Sequence, residues 1–246
     1  YYHALFTPVR KHGGMISDVV GDSMLALWTS PLPTASLHQQ ACDAALDIET
    51  SVAHFNKNSA GQDAKVRWEQ GSARTATGSA LPTRIGLHSG NVMLGNVGAV
   101  DHFEYRAVGD IVNTATRIQT LNKQLGTKVL ASHDVLMNID GFLTRGFLTR
   151  ELGAFALAGK TQPITVYELM CHEHHATALH HELCQRFAEA LAAFKEQKWT
   201  EAMHGFAGIL QSHPSDGPAQ FYLNLCDSKK NRRRSDVLHG ITPISR

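Results

Sequence analysis

The sequence predicts an α+β sandwich followed by a helical segment, on three observations. Short apolar runs of strand character, closed by tight-turn pairs, recur between residues 15 and 169. Stretches of helical periodicity are interleaved with them, and strand signals cease after residue 171.

Residues 1 to 12 put Tyr2, Leu5, Phe6 and Val9 on one helical face, and Gly13-Gly14 ends that helix. MISDVV and SMLALW then predict a hairpin over Met15 to Trp28, joined by Gly21-Asp22. Pro31 and Pro33 break the pattern, and helical spacing returns from His38 to Phe55 through Ala41, Ala45, Ile48 and Val52. Residues 57–83, rich in Gly, Ser, Ala, Thr and charge with Trp68 as their one aromatic, are expected as a loop. Thr83 to Leu87 and Asn91 to Leu94 are expected as strands around the turn HSG, and Phe103 to Val108 as a further strand. Val112 to Leu125 is expected as a helix with Ala115, Ile118, Leu121 and Leu125 inward and Gly126 at its C-cap. VLAS, HDVLMNI and FLTR continue as strand, helix and strand, and FALAG with ITVYEL closes the domain as a hairpin. GFLTR occurs in tandem at 141–145 and 146–150, read as a local duplication at a strand entrance.

After residue 170 helical spacing takes over. Phe187, Leu191 and Phe194, then Trp199, Ala202, Phe206 and Leu210, then Pro214 and Tyr222 follow the order helix, turn, helix, Pro, helix. That order resembles a tetratricopeptide-type unit, although one and a half repeats are fewer than such arrays need to stand alone. The expected organisation is therefore a domain over 1–170, a helical segment over 171–226 and a basic, disordered tail over 227–246 carrying Lys229, Lys230 and Arg232 to Arg234.

Composition narrows the function classes. Hydrophobic residues make up 43% and charged residues 18% of 246, enough to bury a core. Lys plus Arg number 23 against 22 for Asp plus Glu, so no global field draws nucleic acid or anionic lipid, and any anion site must be local. The cysteines at 42, 171, 184 and 226 lack paired spacing and are read as free thiols. No run of about 18 apolar residues occurs. Because the chain opens at Tyr1 within a helical pattern, it is expected to start inside a domain, and any membrane link would lie upstream.

Three positions invite chemistry. Asp22, at the tip of a tight hairpin, is an exposed and rigidly aimed carboxylate of the kind a divalent cation takes. Asn113 and Arg117 lie four residues apart on one helix face, where an amide and a guanidinium can hold phosphate oxygens. On spacing alone an ordinary turn at Gly21-Asp22, and an ordinary cap and solvated side chain at Asn113 and Arg117, are the preferred readings. GAFALAGKT, from Gly153 to Thr161, is not a P-loop, since five residues separate its glycines where that motif needs four. The histidines at 172, 174, 175, 180 and 181 show no fixed ligand spacing and are read as a solvated linker. Gly90, Gly95 and Gly98 are assigned to turns and close sheet packing.

Four segments in order decide among these readings: GGMISDVVGDSMLALW, RIGLHSGNVMLGNVG, YRAVGDIVNTATRIQTLNKQLGT and LAGKTQPITVYEL. Together they resemble the catalytic domain of class III adenylyl and guanylyl cyclases of bacterial type, over about residues 1 to 170. The resemblance implies a ferredoxin-like, palm-type α/β sandwich lacking its first strand. It also implies a head-to-tail homodimer in which each site takes metal carboxylates from one copy and transition-state residues from the other. Asp22 matches the second of two metal-binding aspartates, which hold two Mg2+ or Mn2+ ions on the triphosphate. Asn113 matches the residue that orients the ribose, and Arg117 the one that stabilises the pentavalent phosphorus.

Three departures accompany the match. The first metal aspartate has no equivalent here, so the chain carries half a metal site and is expected to be inactive alone. The base-reading positions hold Asp18 and Arg106, where Asp18 suits the N–H donors of guanine and Arg106 donates to adenine N1 or guanine O6. A phosphate-facing Lys is replaced by Ala158, leaving Lys160 two residues on. The expected activity is conversion of ATP to 3′,5′-cyclic AMP in intracellular signalling, by the cytoplasmic domain of a membrane-anchored protein. Guanylate cyclase, or a degenerate domain that binds nucleotide or a partner, is the alternative, and the helical segment is a candidate surface for a protein partner.

Overall fold

The structure, a computed structural model, describes residues 1–32, 35–66, 81–99, 102–139, 146–231 and 241–243. Residues 1–83 and 84–246 form separate units, each described by itself.

In the first unit, the apolar face of the opening residues forms helix α1 (Tyr2–Lys11), which buries Leu5 and Val9. Strands β1 (Met15–Val20) and β2 (Ser23–Leu27) follow as an antiparallel ribbon, with Val20 opposite Ser23 and only Gly21-Asp22 between them. Gly21 has φ +58°, positive at the first central position as a type II′ hairpin turn demands, and Tyr2 ties α1 to this tip by donating its hydroxyl to the Gly21 carbonyl. Helix α2 (Ala35–Val66) buries Cys42, Ala45, Ile48 and Val52, and Asp47 on it accepts from Lys11 at 2.7 Å and lies 2.8 Å from His12 Nε2. It runs past Phe55 into the stretch expected as a loop. Gly61 costs a helix only about 1 kcal/mol, and its neighbours Ala60, Gln62, Ala64 and Lys65 favour helix strongly enough to carry the chain through it. The rest of that expected loop, including Trp68, lies outside the described residues.

The second unit is built on a five-stranded sheet. In chain order its elements are β3 (Ile85–Leu87), β4 (Met93–Ala99), β5 (His102–Val108), α3 (Asp110–Leu125), β6 (Val129–Ser132), α4 (His133–Met137), β7 (Phe147–Ala156), β8 (Ile164–His172), α5 (Ala178–Lys195), α6 (Trp199–Ser212), α7 (Gly217–Asn231) and β9 (Ile241–Pro243). The sheet order is β3-β6-β8-β7-β9, with β3/β6 and β7/β9 parallel and the inner pairs antiparallel. β4 and β5 pair with each other as a separate ribbon. The strands expected on either side of HSG are present as β3 and β4, and each pairs with a different partner, β6 and β5. The β4–β5 pairing runs from Met93 opposite Val108 to Ala99 opposite His102.

Helix α3 lies directly on β3: a side chain at Gly86 would sit 2.3 Å from the Gln119 nitrogen, so only glycine permits this approach. Buried Asn122 fastens the same contact, donating to the Ile85 carbonyl at 2.9 Å and accepting from the Thr127 hydroxyl at 2.9 Å. Gly126, at φ +69°, ends the helix in the left-handed C-cap conformation that its position predicts.

One core spans the sheet and the C-terminal helices. Ile118, Leu121 and Leu125 of α3, Leu152 and Phe155 of β7, and Phe187, Phe194, Phe206 and Tyr222 of α5 to α7 belong to a single buried cluster. Tyr222 donates to the Leu152 carbonyl, and Arg150 on β7 bridges Glu168 on β8 and Asp216 at the start of α7. Helices expected as a segment of their own therefore pack as a layer on this sheet. Within the tail expected as disordered from residue 227, α7 continues to Asn231 and Ile241–Pro243 pairs with β7, while 232–240 and 244–246 lie outside the described residues. The first GFLTR copy and Arg232 to Arg234 lie outside the described residues, while the second copy supplies Gly146 and the start of β7. No disulfide joins the four cysteines, and burial together with the nearby Asp43 charge pushes the Cys42 thiol up to about 12.

Candidate functional site

The residues expected to act on phosphate gather around the first half of α3. Asn113 is exposed, and Arg117 follows one turn later, about 6 Å along the axis by helical rise. The Arg117 guanidinium lies against the turn Leu157–Lys160 that links β7 and β8: a Cβ built on Gly159 would stand 3.2 Å from its Nη2. Its Nη1 is buried and has no hydrogen-bond partner among the described residues. A buried charged donor without an acceptor costs more than an ordinary lost hydrogen bond, so this nitrogen is poised for an anionic oxygen.

Lys160, from the same turn, donates to Asp110 in the first turn of α3. That hydrogen bond holds the Asp110 carboxyl below the usual carboxylate range, although the group is solvent-exposed. Lys160 is thus held beside α3 by a carboxylate that the sequence reading did not single out. His88, at the end of β3, sits 2.9 Å from the Ser132 hydroxyl, and burial pushes its imidazole below its ordinary value against the pull of Asp134 at 4.0 Å. Gly159 and His88 were legible in the sequence only as parts of the closing hairpin and of HSG, and Asp110 lay before the helix expected from Val112; their contacts come from chain segments far apart in sequence.

Arg106 lies on β5 opposite Gly95 and is exposed. Asp18 and Asp22 belong to the first unit: Asp18 lies on β1 opposite Leu25, beside a register shift, and Asp22 is exposed at the hairpin tip. As a hard oxygen donor, the Asp22 carboxylate fits Mg2+ or Mn2+, and one carboxylate suits an octahedral ion whose other ligands are phosphate oxygens and water. Among the described residues no three His, Cys, Asp or Glu side chains gather into a fuller ligand set, and the histidines at 172 to 181 are included in that statement.

The adenylate and guanylate cyclase catalytic domain family matches residues 7–171. Adenylate cyclase 1 of Rhizobium meliloti (strain 1021) is 32% identical over 173 residues, covering 69% of this chain and 23% of that protein. An adenylate cyclase of Anabaena cylindrica is 28% identical over 170 residues, covering 69% of this chain and 30% of its own length. The chain therefore spans about a quarter of the length of these curated relatives. The crystal structure of the guanylyl cyclase Cya2 superposes with a TM-score of 0.56 at 19% identity, covering 72% of this chain and 80% of that one, a likeness of fold. With the family matched across two thirds of its length, and with Asn113, Arg117 and the β7–β8 turn inside the matched span, the chain belongs to the adenylate and guanylate cyclase catalytic domain family.

Proposed function

We propose that this chain is the catalytic domain of an adenylate cyclase, which converts ATP to 3′,5′-cyclic AMP and pyrophosphate at a homodimer interface. The observation that carries the reading is Arg117: its buried Nη1, without a hydrogen-bond partner among the described residues, lies beside the Leu157–Lys160 turn and one helical turn from Asn113. In the reaction the ribose 3′-oxygen attacks the α-phosphorus in line. The 3′-O–P bond forms, the bond to the bridging oxygen breaks, pyrophosphate leaves with the electron pair, and the hydroxyl proton passes to solvent. Arg117 stabilises the charge on the pentavalent phosphorus, and Asn113 orients the ribose. Lys160, exchanging Asp110 for a phosphate oxygen, steadies the triphosphate.

Cyclases of this family use divalent metal ions, and Asp22 would be one ligand of a pair of Mg2+ or Mn2+ ions that polarise the reacting phosphate. The exposed apolar residues of the β4–β5 ribbon, Met93 at 73% and Tyr105 at 55% exposed, support burial against a second copy. Two relatives bearing the name adenylate cyclase support ATP. Asp18 favours a second reading, GTP, since a carboxylate accepts the N1 and N2 donors of guanine and adenine offers no such pair there. The order of α5 to α7 supports a tetratricopeptide-like layer with a protein partner. Among the described residues no helix is long and apolar enough to cross a membrane, and we read the domain as the cytoplasmic part of a membrane-anchored signalling protein.

The test is turnover of ATP and GTP in Mn2+ by the full-length protein, beside Asp22→Ala and Asn113→Ala. Each variant is expected to lose roughly a hundredfold to a thousandfold in kcat. Mixing the two variants should restore one competent site per heterodimer. Absence of recovery would overturn the shared site, and unaltered turnover in both variants would overturn the residue assignment.

A further inference from the structure

The start of α7 meets the end of α3. A Cβ built on Gly217 would lie 2.2 Å from the Leu125 carbonyl oxygen and 2.9 Å from the Gly126 Cα, so the two backbones touch with no room for a methyl group. Asp216, the residue before, is held on both sides. Its Oδ1 caps α7 by accepting from the Ala219 nitrogen at 2.8 Å, and its Oδ2 accepts from Arg150 Nη1 at 2.7 Å. Arg150 in turn donates to Glu168 through Nε and Nη2 at 3.0 and 2.6 Å, and its guanidinium stacks over the Phe187 ring of α5 at 4.7 Å. The side chains of Arg150 and Asp216 are 3% and 6% exposed. The α7 start is thus fixed to the middle of the sheet by a buried ion pair, and it abuts the helix that carries Asn113 and Arg117.

We propose that Asp216 and Gly217 are positioning residues for α3. The C-terminal layer sets where α3 sits along β3, and through α3 it sets the placement of Arg117 and Asn113. This rests on the cyclase reading of those two residues. Arg117 lies eight residues, about 12 Å of helix, from Leu125. A hydrogen-bonded helix moves over that distance as a rod, so a shift at Leu125 arrives at Arg117 little diminished. Misplacement of a transition-state group by about 1 Å costs up to roughly a hundredfold in rate. Because Arg117 acts on charge that develops in the transition state, the loss falls on kcat and leaves KM in place.

The experiment uses the full-length protein with Gly217→Ala, Asp216→Asn and, as a control, Lys195→Ala. The control removes the 2.6 Å tether from α5 to Glu151 on β7 and does not touch α3. Steady-state pyrophosphate release and amide hydrogen exchange of residues 112–125 are measured for each. Gly217→Ala is expected to lower kcat about tenfold or more with KM within about twofold, and to speed exchange in α3 about tenfold, while Lys195→Ala changes neither. A folded Gly217→Ala protein with unchanged kcat and unchanged α3 exchange overturns the proposal. Should that variant fail to fold, Asp216→Asn decides, since asparagine retains the cap on Ala219 but gives up the charge facing Arg150; unchanged exchange in α3 then overturns the proposal. Exchange reports on positioning without any turnover. A wild-type protein that makes no cyclic nucleotide, yet shows the exchange response, sinks the cyclase reading and leaves the contact between α7 and α3 standing.

Discussion

Arg150 uses Nε, Nη1 and Nη2 to donate to two carboxylates, and its flat face covers Phe187. Burial alone would favour the neutral form of so enclosed a guanidinium, but Glu168 and Asp216 outweigh it and raise its pKa. Such an arrangement is worth little against an apolar replacement of the whole set, yet breaking it from one side is costly, because buried charge is left uncompensated. Arg150→Ala is therefore expected to destabilise the second unit by roughly 3–5 kcal/mol, read as a lower urea midpoint with an unchanged slope. A midpoint within error of wild type would refute the role of the triad. None of this was legible beforehand: Arg150 ends a duplicated GFLTR and Asp216 follows a Pro-Ser pair, and their partnership depends on a sequence separation of 66 residues. Helical spacing put Asn113 and Arg117 on one face, but the resemblance of four segments in order was what singled them out, whereas the Lys160 contact with Asp110 depended on how the β7–β8 turn folds over α3.

Among the elements, the joint between α1 and α2 has a definite pH dependence. Burial works to raise the Asp47 carboxyl, but hydrogen bonds from Lys11 and His12 outweigh it and hold the group below its ordinary value. A carboxyl depressed in the folded state stabilises above its unfolded pKa, and the contribution is lost as pH falls through the folded value. The joint should accordingly be intact at neutral pH and weaken below about pH 4. Protection of the α1 amides, taken relative to the intrinsic exchange rate at each pH, is expected to fall below about pH 4 in the wild type, and Asp47→Asn should show the lower protection at neutral pH and flatten that dependence. An Asp47→Asn profile that still falls in parallel with wild type would assign the acid sensitivity elsewhere. The elements themselves were read well where one residue type dominates, as at the Gly21-Asp22 turn and the Gly126 cap. Pairing was not legible where it is non-local: β3 finds its partner in β6, 44 residues on, and nothing in the local pattern of either strand states that choice.

At the scale of the second unit, the helices after residue 177 complete the fold. The sequence suggested a boundary at residue 170 because strand signals stop there, and periodicity cannot say whether an apolar helix face meets another helix or a sheet. Phe187, Phe194, Phe206 and Tyr222 pack together, with ring centroids 4.9 to 6.0 Å apart between Tyr222 and the other three, and they share their cluster with Leu152, Phe155 and the inner face of α3. Burying an aromatic side chain contributes roughly 1.5–3 kcal/mol relative to exposure. Removing the layer thus exposes the sheet face and the inward residues of α3 together, a loss of the same order as the whole stability of a domain. A chain ending at residue 176 is expected to be insoluble, or to expose apolar surface with lost near-ultraviolet circular dichroism. Asn113 and Arg117 would then lose their placement although the cut lies about 60 residues away. A truncated protein that stayed monodisperse, with native hydrogen-exchange protection in β6 and α3, would show that the sheet does not depend on the layer, and the helices would revert to an appended module.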